Sequence, residues 1–307
     1  SIYSYLEEEL KMHAQFHHVS LLARHGQENQ SFYTKLLGLR FVKNTVNQDN
    51  NRMPHYFYGD YQGTPGSLVT FFIVPLLGNR YEEKNYLATI GLKIPQNSLS
   101  FWEQRLTENK IPFNKKEKSL HFSDPDDTHI ILTEVPENPL KETLVVSNDI
   151  PAAVQIIGLA STEFHVPDSE KTLAFFETFL GWQAVGNTII LSETESFSVH
   201  QTTSDKTSRM GRGSMDHIAF SVADDEALQE LHTRALAQGW EIEMYVSRGY
   251  FKSLYIREPG GNRVEFATLA PGFTLDEPLE HLGETLALPP FLEPKRTAIE
   301  ANLYKDM

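Results

Sequence analysis

There is no cysteine in the 307 residues. That excludes disulfides, thiol nucleophiles, iron–sulfur clusters and thiolate zinc sites, so a bound metal must be held by nitrogen and oxygen. Basic residues are scarce: 27 Lys and Arg stand against 41 Asp and Glu, a net charge of −14. An acidic chain is repelled by nucleic-acid phosphates and by anionic lipid, so neither is an expected partner. No apolar run reaches the ~20 residues of a membrane span. The opening SIYSYLEEELKMHAQF has no basic start leading into an apolar stretch, so no secretory signal is expected and a cytoplasmic location is. What is present is 40% hydrophobic and 11% aromatic residues, enough for a sizeable core, in a chain about twice the ~150-residue prior for one domain. Twelve His, with carboxylates, are the available metal ligands.

The chain repeats itself. Phe32-Tyr33-Thr34-Lys35-Leu36-Leu37-Gly38-Leu39 and Phe175-Phe176-Glu177-Thr178-Phe179-Leu180-Gly181-Trp182 each set an aromatic pair and a leucine at helical spacing before a glycine that stops the helix. A β-like alternation precedes each: His18-Val19-Ser20-Leu21-Leu22 and Thr162-Glu163-Phe164-His165-Val166. Two more strand-then-helix units follow, one from Leu87 to Pro95 and on through Leu106, the other from Asp216 to Val222 and on to Gly239. Short strands come after each helix, with turns such as Asp124-Pro125-Asp126-Asp127 and Glu258-Pro259-Gly260-Gly261. Four βαβββ modules are expected, at 16–75, 87–135, 155–202 and 215–269. The fold class is α+β, with two curved mixed-sheet cups and helices outside. Residues 1–15 then form an N-terminal extension, 16–135 the first module pair, 136–154 a proline-bearing linker and 155–269 the second pair. The tail, 270–307, is expected to carry a short helix from Leu279 to Leu286 and a break at Pro289-Pro290.

Laying the modules over one another exposes candidate ligands. In Asp216-His217-Ile218-Ala219-Phe220-Ser221-Val222, alternation turns Ile218, Phe220 and Val222 to the helix and His217, Ala219 and Ser221 to the concave face. Val19 and Leu21 match that apolar face in module one, which puts His18 in the place of His217 and turns His17 toward the helix. Thr89 and Ser161 take the same place in modules two and three. In the last strand Glu265 stands between Val264 and Phe266, and Ile131 is its counterpart. Burying an unpaired carboxylate costs several kcal/mol, and a metal ion would supply the partner. Two imidazoles and one carboxylate on one face, with coordination positions left open, suit non-haem Fe(II). His18, His217 and Glu265 are therefore the expected ligands. Since module three offers Ser161, modules one and four must pair across the chain ends, leaving modules two and three to form a cup without metal.

Several longer stretches point the same way: His17-His18-Val19, Gly38-Leu39-Arg40-Phe41-Val42-Lys43, Tyr58-Gly59-Asp60, Phe251 through Gly261, and Pro271-Gly272-Phe273-Thr274-Leu275-Asp276-Glu277-Pro278. In these the sequence resembles the vicinal oxygen chelate superfamily of glyoxalases, fosfomycin-resistance proteins and extradiol dioxygenases. Within it, the sequence is similar to the bacterial ring-cleaving dioxygenases linked to hydroquinones. The resemblance implies paired modules around a divalent metal with His, His and Glu ligands. It also nominates Tyr255, because extradiol enzymes carry a tyrosine ten residues before the Glu ligand. There it would be a hydrogen-bonding or acid–base group beside a metal-bound phenolate; a tyrosine merely packing across strands is the alternative. The histidine usual upstream of that tyrosine has no counterpart in Tyr245-Val246-Ser247-Arg248. His55, Arg248 and Tyr250 are further pocket candidates, with Phe57, Phe72, Tyr250 and Phe266 as walls.

The expected activity is a ring-cleaving dioxygenase acting on a dihydroxylated aromatic with O2, using Fe(II), with Mn, Ni and Zn as the other metals such a site takes. Hydroquinone-type substrates rest on the resemblance alone. A glyoxalase-like isomerase or lyase is the second reading; it wants a second carboxylate where module one has Thr70. A non-catalytic quinone- or drug-binding protein is the third, and retention of all three ligands weighs against it. Expected partners are a small aromatic substrate, O2 and a second copy in a homodimer.

Overall fold

The computed structural model describes residues 14–303. Most of the expected N-terminal extension and the last four residues lie outside the described residues. Module one comprises β1 (Phe16–Ala23), α1 (Gly26–Gln30, continuing as a π-helical turn through Ser31–Leu36), β2 (Arg40–Val46), β3 (Pro54–Gly59) and β4 (Leu68–Ile73). Module two comprises β5 (Tyr86–Ile94), α2 (Leu99–Glu108), β6 (Asn114–Lys116), β7 (Ser119–Ser123) and β8 (His129–Glu134). Module three has β9 (Gly158–Val166), α3 (Ser169–Leu180), β10 (Gln183–Val185), β11 (Thr188–Ile190) and β12 (Ser196–Gln201). Module four has β13 (Met215–Val222), α4 (Asp225–Gln238), β14 (Glu241–Ser247), β15 (Phe251–Arg257) and β16 (Arg263–Pro271). The helix limits follow from local chemistry. Asp168 and Asp224 cap α3 and α4, accepting from the amides of Lys171 and Ala227, and Gly181 and Gly239 end them in the left-handed region at φ 70° and 75°.

In every module the first strand runs parallel to the last, and the remaining strands form an antiparallel meander. Between modules, β1 pairs antiparallel with β13, and β5 with β9. One cup is thus β2-β3-β4-β1-β13-β16-β15-β14, built from the two ends of the chain, and the other is β10-β11-β12-β9-β5-β8-β7-β6. The cups are not separate sheets: a single residue pair, Met215 with Leu87, joins them into one 16-stranded sheet. The convex faces share a continuous core, with Trp102, Phe164, Phe175, Phe176 and Phe220 almost wholly buried.

The tail departs from expectation. Leu279 to Leu286 is not a helix but a single 3-10 turn, Leu279–His281, followed by turns and bends as far as a bridge between Leu286 and Asn44. Gly283 lies at φ 74° against the Phe41 carbonyl, where any side chain would collide, and that conformation is incompatible with a helix. The helix comes later, as α5 (Arg296–Leu303). Two of the long sequence matches prove to be halves of one clamp: Lys43, fully buried, reaches Asp276 at 2.6 Å and Glu277 at 2.5 Å, while Arg40 donates to the Leu279 carbonyl. Among the described residues no helix is long and apolar enough to cross a membrane.

Candidate metal centre

The first cup carries three donors on its concave floor. His18 from β1, His217 from β13 and Glu265 from β16 are buried, and their ligand atoms converge. His18 Nε2 lies 2.8 Å and His217 Nε2 3.1 Å from Glu265 Oε2, with 3.3 Å between the two nitrogens. Ala219 faces both His18 and Glu265 across the two ladders, so strand pairing alone fixes the spacing.

The hydrogen bonds behind the rings determine which nitrogens carry protons. His17 Nε2 is 3.0 Å from the Thr268 carbonyl, which can only accept, so the His17 proton is on Nε2 and its Nδ1 is an acceptor. His17 Nδ1 is 2.8 Å from His18 Nδ1; His18 therefore donates from Nδ1 and presents a bare Nε2 to the centre. Burial, reinforced by His18, pushes the His17 pKa down to about 3, which keeps the relay neutral. On the other side His217 Nδ1 donates to Asp216 Oδ2 at 2.7 Å, and Arg263 holds the same oxygen at 2.7 Å. His217 Nε2 is thus aimed at the centre, where it offers a second lone pair once its proton leaves, in the carboxylate–histidine arrangement that supports metal-bound imidazoles. Glu265 Oε2 is shut off from solvent and faces the two imidazole nitrogens.

Three electron pairs facing one another at about 3 Å repel unless a cation sits between them. In its absence a proton takes the role. Burial disfavours charge on His217, but the bonds to Asp216 and Glu265 outweigh it and raise the pKa to about 9; burial likewise opposes charge on Glu265, and His18 and His217 overcome it and hold its pKa well below the usual range. The donor set fits a divalent metal: bonds of ~2.1 Å at right angles separate ligand atoms by about 3.0 Å, close to the spacings found.

Above the three donors lies a cavity of about 250 Å³, walled by Leu22, Phe57, Phe72, Tyr250 and Phe251 among others. Tyr255, the cross-strand partner of Glu265, is at its edge, 5.6 Å from the His217 ring and perpendicular to it. Arg248 Nε donates to the Tyr255 oxygen at 3.1 Å. Burial and the Glu265 charge push the Tyr255 pKa well above 10 despite Arg248, so the phenol keeps its proton. His55 faces the same cavity; its Nε2 is buried and without a partner among the described residues, and burial together with His18 and His217 keeps the ring neutral.

Residues 158–266 match the family described as Glyoxalase/Bleomycin resistance protein/Dioxygenase superfamily. Over 306 residues the chain is 36% identical to "Putative ring-cleaving dioxygenase MhqA" of Bacillus subtilis (strain 168), covering 94% of this chain and 97% of that protein. The chain belongs to this superfamily. It is also 27% identical over 302 residues to "Chlorohydroquinone/hydroquinone 1,2-dioxygenase" of Sphingobium indicum, covering 90% and 92% of the two chains. A Bacillus subtilis crystal structure described as a "putative dioxygenase" superposes with a TM-score of 0.86 at 29% identity, covering 95% and 96%.

The cup is a pair of modules, and the sequence-derived candidates distribute over it unevenly. His18, His217, Glu265 and Tyr255 come together, with His55, Arg248 and Tyr250 around the same cavity. Two assignments change. His17 does not turn to the helix: β1 is irregular between Phe16 and His18, and this bulge brings the His17 ring round to His18 and to Phe251, 4.4 Å away. Phe266 is not a wall, because alternation with the inward Glu265 sends it to the helix side, against Phe179 and Phe220. Thr70, standing where a glyoxalase wants a second carboxylate, donates its hydroxyl to the Val19 carbonyl at 3.1 Å. Asp216 and Arg263 were missed; the adjacency of Asp216 to His217 was the available signal.

Proposed function

We propose that the protein is a metal-dependent dioxygenase that opens a dihydroxylated aromatic ring with O2, and that His18, His217 and Glu265 hold the metal. The observation carrying this reading is the convergence of two imidazole nitrogens and a buried carboxylate oxygen below an aromatic-walled cavity. About 150 Å³ is enough to hold benzene, so the cavity admits a substituted ring. Iron(II), which this donor set suits, would supply electron transfer toward O2 and acidity toward a phenol when bound; Mn, Ni and Zn share the ligand preference. The chain's own residues do the rest. Phe57, Phe72 and Phe251 sandwich the ring and exclude water from it. Tyr255, protonated and oriented by Arg248, donates a hydrogen bond to a ring oxygen and holds the proton there. His55, neutral and with a buried Nε2 that has no hydrogen-bond partner among the described residues, receives or returns a proton at the other oxygen. Similarity to a protein named for hydroquinone cleavage supports para- over ortho-dihydroxy substrates.

The test is oxygen uptake after anaerobic reconstitution with Fe(II), offering hydroquinones, catechols and hemithioacetals in turn. Consumption of one O2 per hydroquinone supports the reading. Isomerisation of a hemithioacetal without oxygen would replace it by the glyoxalase one.

A further inference from the structure

The second cup was expected to be bare, and at the positions equivalent to the first centre it is: Thr89, Ser161 and Ile131 bring no ligand set together. One step further along the strands it is not. Glu163 and His165 lie on one face of β9, and His200 of β12 stands directly beside His165 in the parallel ladder. In register, Ser161 answers to His18 and Ser196 to Leu68, so His165 and His200 occupy the places of Leu22 and Phe72. Two apolar walls of the first cavity are imidazoles in the second.

One oxygen of Glu163 is already occupied. The Thr89 hydroxyl donates to Glu163 Oε2, so it can only accept from His129 Nδ1 at 3.1 Å. His129 Nε2 in turn accepts from His121 Nδ1 at 3.0 Å. This chain of donors is aimed at Oε2 and leaves Oε1 to the other side. There His165 Nε2 lies 3.5 Å and His200 Nε2 3.3 Å from Oε1, longer than ordinary hydrogen bonds. A tetrahedral ion with bonds of ~2.1 Å separates its ligand atoms by about 3.4 Å. All three atoms lie within 4.8 Å of one another. Glu163 has no Lys or Arg partner among the described residues, and the Ser198 hydroxyl, 2.8 Å from His200 Nε2, is the contact an ion would displace. Thr89 is β-branched yet sits at φ 72°, a conformation such residues avoid, at the irregular join of β5 and β9. Glu163 and His165 open onto a cavity of about 240 Å³.

We propose that Glu163, His165 and His200 form a second divalent transition-metal site, distinct from the first and open to exchange with solvent at the cavity. Two imidazoles and a carboxylate oxygen select zinc-like ions over calcium or magnesium.

The test uses the full chain, free of any affinity tag, stripped by chelator, loaded with Zn(II), desalted and assayed for zinc by mass spectrometry. Two ions per chain are expected. His217→Ala should leave one, the double variant His165→Ala/His200→Ala should leave one, and the triple variant none. A single ion that follows His217 alone, or a double variant that still holds two, overturns the proposal. Because a variant could lose its ion by misfolding, zinc-loaded wild-type crystals give an independent reading by anomalous scattering. A peak between Glu163, His165 and His200 is expected, and its absence at full loading of the first site overturns the proposal.

Discussion

His17 is wholly buried and touches no substrate cavity, yet it should control the affinity of the first metal. Replacing it by Ala leaves the His18 Nδ1–H, now bonded at 2.8 Å, without an acceptor, and strips the Thr268 carbonyl of its 3.0 Å partner. A buried polar group left unsatisfied costs about 1–3 kcal/mol, and at ~1.4 kcal/mol per decade this is roughly one to two decades of affinity if the loss falls on the oriented, metal-ready His18. The same range, ~10–100-fold, is found when the hydrogen-bond partner of a metal-bound histidine is removed. Zn(II) affinity is measured by competition with a chelator, in a His165→Ala/His200→Ala background so that a second ion does not enter the titration. His17→Ala should weaken binding ~10–100-fold; His17→Asn, which keeps an acceptor oxygen near the same place, should recover part of the loss; His18→Ala should abolish binding. Wild-type affinity in His17→Ala would refute the relay and leave ring packing against Phe251 to orient His18. Binding lost in His17→Ala but kept in His18→Ala would mean that the ligand is the other histidine.

Tyr255→Phe removes one hydroxyl and should keep metal content while lowering turnover about 10²–10⁴-fold; unchanged turnover would make Tyr255 a packing residue. Metal affinity should rise with pH, because the proton that burial resists, but that Asp216 and Glu265 hold on His217 up to about pH 9, must leave as the ion enters. Calorimetric titration should show about tenfold per pH unit from pH 7 to 9 and a plateau above, and a flat profile over that window contradicts the assignment. The sign for stability runs the other way: in metal-free protein the raised His217 pKa stabilises fully below about 6.5, and that contribution is lost as pH rises through about 9. Lys43→Met strands Asp276 and Glu277 without their cation and should cost about 3–5 kcal/mol in denaturant unfolding, with residues 270–303 becoming protease-sensitive; a loss under about 1 kcal/mol would show that the tail is held by its apolar contacts.

The four modules were legible because each first strand and its helix repeat the same alternation and glycine stop, so errors in one module are corrected by the other three. Glu265 was legible for a different reason: a carboxylate among Val264, Phe266 and Ala267 violates the pattern around it and demands a partner. His17 was misassigned because strand parity assumes an unbroken ladder, and a bulge is decided by the pairing of β1 with β13, which no short window of sequence contains. The Glu163, His165 and His200 cluster was overlooked although Glu163 and His165 stand two apart in a plain alternation. Comparing only ligand-equivalent positions hid it, and His200 joins through a neighbouring strand. The Leu279 to Leu286 helix failed where Gly283 accommodates the Phe41 carbonyl, a tertiary constraint invisible to periodicity.

The pairing of β1 with β13 has a consequence for biosynthesis. His18 and His217 are 199 residues apart, so at ~5–20 residues per second the first strand leaves the ribosome roughly 10–40 s before its neighbour exists. Throughout that interval β1 can be covered on one edge by β4, while the other edge offers unpaired amides and carbonyls beside buried-type side chains such as Val19 and Leu21. Modules two and three can close their own cup in the meantime, since β5 and β9 are near in sequence. The nascent chain therefore carries an open strand edge until β13 emerges, and a chaperone that shields β1, or a second nascent chain that pairs with it wrongly, would compete for the same edge that later pairs with β13.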